Sequence, residues 1–164
     1  MASLTPTFNE EQKFTQWWLW PLLILIFLSP FIINYNSIVE NGFWGTFSKG
    51  IFAHIFSIGL IITFFLVLKL KTQVDQQGVH LHYFPFFKKR FDWRDVKKAK
   101  VITYTFWNVG GWGIRYSRKL GIVYNVKGYQ GLSIELQSGK KYVIGTQRPA
   151  EIQQFIPKEQ YSLK

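Results

Sequence analysis

Between Lys49 and Lys69 the chain carries no formal charge, and the run from Ile51 to Leu68 reads IFAHIFSIGLIITFFLVL. As a helix rising about 1.5 Å per residue, it nearly matches a hydrocarbon layer about 30 Å thick. A second such run precedes it. No residue from Phe14 to Val39 is charged, and Trp17 to Ile33 (WWLWPLLILIFLSPFII) reads as a first membrane helix. Trp17, Trp18 and Trp20 suit the aromatic belt of a membrane interface. A cleaved signal peptide is the rival reading. The acidic residues ahead of the run, the Trp cluster and the lack of a small-x-small site argue against it. Pro21 falls in the first turn, where proline is tolerated, whereas Pro30 is expected to kink or end the helix. Asn34 to Lys49 holds Asn36, Asn41, Gly42 and Gly45 and is expected to be a short connection, making the spans an antiparallel hairpin. Residues 1–16 are expected to form a short, loose surface segment, 17–71 the hairpin (spans 17–33 and 51–68), and 72–164 a separate domain.

Charge is distributed unevenly about these runs. Eighteen of the 20 Lys and Arg lie from Lys69 onward, with six of the nine Asp and Glu, a surplus of 12 positive charges. The connection between the spans offers only Lys49, while the exit of the second offers Lys69 and Lys71. Cytoplasmic loops carry the excess of Lys and Arg, so both termini are expected on the cytoplasmic side of the plasma membrane. A basic domain held there is drawn to anionic headgroups. Nucleic acid would feel the same field, but no base-reading motif is present and no nucleic-acid partner is expected. The chain has no cysteine, which excludes disulfides, thiolate catalysis and Cys-based metal sites. His54 is the one ionisable group inside a span. Such a residue invites a proton- or ligand-handling hypothesis, but it lacks an acidic partner in the first span, and a structural role is the expectation.

Beyond Lys71 the pattern changes to period two. Val79, Leu81 and Tyr83 share one strand face, and Leu132, Ile134 and Leu136 share another, with Ser133, Glu135 and Gln137 facing outward. Ser138-Gly139 is a hairpin turn. From Pro149 onward, Ile152, Phe155 and Ile156 make the apolar stripe of a terminal helix. About seven short strands and this helix predict a mainly-β, partly open barrel or sandwich.

Several stretches carry a resemblance: Gly78-Val79-His80-Leu81, Asp92-Trp93-Arg94-Asp95-Val96, Gly111-Trp112-Gly113-Ile114-Arg115, and Gly139 to Gly145 followed by Thr146-Gln147-Arg148-Pro149. In this order, over Thr72 to Ile156, they resemble the bacterial pleckstrin-homology-like domains, and in particular small membrane proteins with two transmembrane helices before such a domain. The resemblance implies a seven-stranded, two-sheet barrel closed by the last helix, and a binding module rather than an enzyme. Eukaryotic relatives that hold phosphoinositides use basic residues between their first two strands. The corresponding stretch here, Asp75-Gln76-Gln77-Gly78, has none, so that type of site is not expected.

The candidate contacts are therefore other basic and aromatic residues. Lys88, Lys89 and Arg90 form a basic turn, and Lys97 and Lys98 stand at the start of a strand. Arg115, Arg118 and Lys119 surround a hairpin tip. Arginine forks suit phosphate and lysines suit diffuse attraction to a surface. Trp112 is either a core plug or an exposed anchor. His80 and His82 share a strand face, but no third ligand lies nearby in sequence, so no metal is expected. Gly110-Gly111-x-Gly113 precedes a strand rather than a helix, which argues against a phosphate-cradling loop and for a turn with positive φ. No nucleophile-elbow pattern appears, and neither catalysis nor a cofactor is expected. The expected partners are an anionic lipid headgroup or a protein; the alternative is a structural subunit of a larger membrane complex.

Overall fold

The computed structural model describes residues 7–46 and 49–160, with the backbone only over 43–46 and 49–50. The chain divides into two compact units. One comprises Thr15–Val67; the other joins residues up to Phe14 with those from Leu68 onward.

The second unit is mainly β. Strands β1 (Phe8–Lys13), β2 (Lys69–Val74), β3 (Gly78–Phe84) and β4 (Phe87–Asp92) form an antiparallel sheet in that order. A second sheet holds β5 (Val96–Thr103), β6 (Gly113–Ser117), β7 (Gly121–Asn125), β8 (Gln130–Leu136) and β9 (Lys141–Gly145), in the order β5-β8-β9-β7-β6. Within it β7 and β9 run parallel. The described residues thus hold nine strands in two sheets, not seven strands closing into a barrel.

The inward faces follow the period-two reading. Val79, Leu81, Tyr83, Leu132 and Ile134 are buried in one core, with Leu136 packed at its margin. A short helix α5 (Pro149–Gln154) covers β5 and β8, burying Ile152 and Ile156 and laying Phe155 against the same core. A 3₁₀ turn, Trp93–Asp95, buries Trp93, whose indole Nε1 donates to the Asp75 carbonyl at 2.9 Å. Gly110, Gly111 and Gly113 all have positive φ, and with the short helix α4 (Phe106–Val109) they turn the chain from β5 into β6. At Gly121 (φ 75°) a Cβ would come within 2.0 Å of the Lys141 carbonyl oxygen, so only glycine permits β7 to enter the sheet beside β9.

The N-terminal segment is not loose. Phe8 to Lys13 pairs along the whole of β2, from Phe8↔Val74 to Lys13↔Lys69. Phe8 is fully buried, with its ring 6.0 Å from that of Phe155. The Gln12 side-chain amide donates to the Gly145 carbonyl at 2.7 Å. Glu10 accepts from the Thr146 hydroxyl (2.6 Å) and the Gln147 amide (2.7 Å). The Arg148 guanidinium donates to the Asn9 carbonyl and lies 5.3 Å over the Phe8 ring. The stretch Thr146-Gln147-Arg148 is thus the clamp that holds β1. The β unit consequently contains residues from both sides of the helical unit in the sequence, and the expected boundaries at 16 and 72 move accordingly.

The first unit contains helices α1 (Leu19–Ile33), α2 (Tyr35–Thr46) and α3 (Lys49–Val67). The expected short connection is therefore largely helical, broken at Gly42 (φ 73°, ψ 165°); its residues 47–48 lie outside the described residues. Among the described residues no single helix is long and apolar enough to cross a membrane. Leu19–Ile33 and Tyr35–Gly42 reach that length and composition together, bent by 54° at their break, and the apolar part of α3 is Ile51–Val67. A membrane hairpin therefore rests on composition and not on the length of either helix.

Pro30 remains inside α1, and the bend follows it at Asn34. Proline has no N–H, so the carbonyl of Ile26, four residues earlier, loses its helical donor. Two side chains replace that donor. The Ser29 hydroxyl donates to the Ile26 oxygen at 2.7 Å, and His54 Nε2 on α3 lies 3.0 Å from it. A carbonyl can only accept, so His54 carries its proton on Nε2. His54 is a clasp between α1 and α3 at the point where proline opened the ladder.

Candidate functional site

The outward face of the first sheet is polar because its residues alternate with the buried ones. Strand register arranges them in rows. Asn9, Gln73, His80 and Arg90 stand side by side across the four strands, as do Glu11, Lys71, His82 and Lys88. Together they line an open concavity of ≈650 Å³. Lys71 was not among the candidates, because in sequence it looks like a charge ending an apolar run. Its place in this row exists only through strand pairing.

Each row has its own electrostatics. Asp75, at the β2–β3 turn, accepts from the amides of Gln77 (2.9 Å) and Gly78 (3.0 Å). Its other oxygen lies 3.1 Å from His80 Nε2, off the line of a hydrogen bond. Burial pushes the Asp75 carboxyl up, but the two amides and His80 outweigh it and hold it below the usual carboxylate range. Arg90 is held by Asp92 and by the Gln77 side-chain oxygen at 3.1 Å. In the other row Glu11 reaches Lys71 at 2.9 Å, Lys13 at 3.6 Å and Lys69 at 3.8 Å. The hydrogen bond from Lys71 lowers the Glu11 carboxyl, desolvation opposes it, and the charges of Lys69, Lys71 and Lys13 add to the lowering. Burial, followed by the charges of Lys88, Lys71 and Lys69, pushes the His82 imidazole down. Among the described residues no carboxylate pairs with Lys88. The row is therefore a positively charged strip whose one acid is shared among three lysines.

The structure distributes the candidates over three places. Lys88, Lys89 and Arg90 are not a turn but the middle of β4. Alternation sends Lys88 and Arg90 outward and Lys89 inward, with its Nζ 4.0 Å from the Tyr142 ring and 5.4 Å from Phe91. That cation–π contact, about 0.5–2 kcal/mol, makes Lys89 a cover for the core edge. Lys97 and Lys98 lie on β5 at one margin of the second sheet, beside a bulge between Val96 and Lys98. Arg115 on β6, and Arg118 and Lys119 in the β6–β7 turn, lie at the opposite margin. These groups do not form one patch. Trp112 is half-buried, outside both core clusters, edge-to-face with Phe106 at 5.3 Å. The residue that sequence reasoning missed on this margin is Trp107, 88% exposed and lining a concavity with Ser117, Arg118 and Lys119.

The chemistry available is electrostatic and hydrogen-bonding. Among the described residues no three His, Asp or Glu side chains stand together in a way that could hold a metal ion. The phenol of Tyr83, beneath the sheet, is pushed up to about 12 by burial, with Arg115 opposing, and serves as core. No protein-family model matches the chain, and no curated protein is significantly similar to it.

Proposed function

We propose that this chain is a membrane-anchored, pleckstrin-homology-like binding module of a bacterial plasma membrane, whose first sheet contacts anionic headgroups on the cytoplasmic side. The observation that carries this reading is the register row of Lys71, His82 and Lys88, whose Lys71 lies on a strand that begins two residues after an apolar helix ends. A one-residue junction, Leu68, leaves no linker, so a weak affinity acts at high effective concentration. The helical unit supports the anchor: Ile24, Leu25, Phe52, Phe56 and Leu60 are all more than half exposed. Apolar surface of that extent belongs against another apolar phase. Two sheets with a covering C-terminal helix agree with the pleckstrin-homology-like reading.

The native chain lacks cysteine, so single-site labelling is clean. A polarity-sensitive fluorophore on His82→Cys, in full chain reconstituted in nanodiscs, should shift in phosphatidylglycerol discs and not in phosphatidylcholine discs. High salt should reverse the shift, and Lys71→Gln with Lys88→Gln should abolish it. Equal emission in both lipids would refute headgroup contact. A second reading, a protein partner, is favoured by exposed Trp107, which lines one concavity with Arg118, two residue types that dominate protein interfaces. It predicts that Trp107→Ala removes a co-purifying subunit while leaving the lipid response intact.

A further inference from the structure

The turn between β3 and β4, Phe84-Pro85-Phe86-Phe87, places aromatic residues where a soluble hairpin has polar ones. Only part of it belongs to the core. Tyr83 and Phe87 are register partners with rings stacked at 6.0 Å, and Phe87 packs on the buried cluster. Phe86, whose amide donates to the Tyr83 carbonyl at 2.8 Å, is 56% exposed. Phe84 is half-buried and lies opposite Lys69, whose Nζ stands 5.5 Å over its ring. Lys13 pairs with Lys69 on the other side. One end of the sheet is thus the row Lys13–Lys69–Phe84 with Phe86 at its tip. The other end is polar and acidic, with Asp75, Gln76 and Gln77 in its turn and Asp92 paired with Gly78.

The aromatic end is also where the chain passes to the helices, in both directions. After Lys13 only five residues precede α1, and before Lys69 only Leu68 follows α3. Aromatic rings and lysines with long apolar stems are the residue types that a membrane interface favours, the ring at headgroup level and the ammonium on phosphate. Resting on the reading that α1 to α3 lie in a bilayer, we infer that this end of the sheet faces the membrane, with Phe86 entering the headgroup layer amid Lys69, Lys71 and Lys88. Chain geometry then ranks the cations. At about 3.4 Å per residue, Lys71 and Lys88 stand about 7 Å from the Lys69–Phe84 row and Arg90 about 14 Å. With a screening length of about 8 Å at physiological salt, the first two act on headgroups and Arg90 does not.

Full chain is reconstituted in bilayers of equal parts phosphatidylcholine and phosphatidylglycerol, carrying one nitroxide on Phe86→Cys, Gln76→Cys or Leu25→Cys. Accessibility to a water-soluble nickel chelate is read against oxygen. At residue 86 the chelate collision rate should fall several-fold below that at residue 76, and at Leu25 it should nearly vanish. Equal rates at 86 and 76 overturn the inference. If Leu25 is then still shielded, the anchor stands and only the orientation of the sheet is wrong; if Leu25 is open to the chelate, the membrane reading falls with it. Arg90→Gln should leave the rate at 86 unchanged while Lys88→Gln raises it. The reverse order also overturns the inference.

Discussion

The two units use the same side chains for opposite purposes. In the β unit Phe8, Leu70, Val79 and Ile144 are sealed from solvent, whereas in the helical unit Phe52, Phe56, Ile24 and Leu25 are largely exposed. The β unit builds its own apolar environment by folding two sheets and a helix over one another. Among the described residues the helices meet at His54, against Ile26 and Ser29. They leave most of their apolar surface for something outside the chain. A fold that makes its own core is sensitive to the loss of any strand, while helices that borrow their surroundings are sensitive to unsatisfied backbone.

That contrast can be broken most severely by removing β1. A fragment starting at Thr72 keeps the resemblance-bearing residues but lacks β1 and the first half of β2, and it should show no cooperative thermal transition by circular dichroism. A fragment joining residues 7–14 to 68–160 through a glycine linker should recover one. Next in size, Phe8→Ala empties a fully buried site and should cost about 3–5 kcal/mol in the β unit, measured by denaturant unfolding in detergent. The helical unit's own melting should not move.

Asp75→Ala should cost about 1–2 kcal/mol, since two turn amides lose their acceptor. The carboxyl is lowered in the folded chain, so its contribution is complete above the unfolded value of about 3.9 and is lost as pH falls below it. The gap between wild type and variant should therefore be flat at neutral pH and close in acid. The smallest effect sharpens the helical side: His54→Leu should cost about 1 kcal/mol in detergent, as interhelical hydrogen bonds do. In a Pro30→Ala background the Ile26 carbonyl regains its backbone donor, and the same substitution should cost much less. Equal costs in both backgrounds would show that His54 does something other than complete the helix ladder.

Much of the strand layout was legible because it is local. Val79, Leu81 and Tyr83 alternate with His80 and His82, Ser138-Gly139 makes its turn, and Ile152, Phe155 and Ile156 mark the helix that covers the core. β1 was not legible, because Phe-Asn-Glu-Glu-Gln-Lys contains a single apolar residue and no alternation. Its strand partner β2 lies beyond the helices, and the groups that clamp it, Gly145 to Arg148, lie more than 130 residues away. The basic run at Lys88 to Arg90 was visible as charge, but a strand divides such a run between two faces. Lys89 went to the core edge, and Lys88 joined Lys71 and His82.

Periodicity and composition therefore carry two apolar runs, an alternating β region, a terminal amphipathic helix and a large positive surplus. Folding alone brings β1 to complete the sheet, lays β9 parallel to β7, sets His54 on the carbonyl opened by Pro30, and assembles the lysines of one row. Side-chain pattern depends on immediate neighbours. Register, clamps and replaced hydrogen bonds depend on groups that meet only after the chain has folded back on itself.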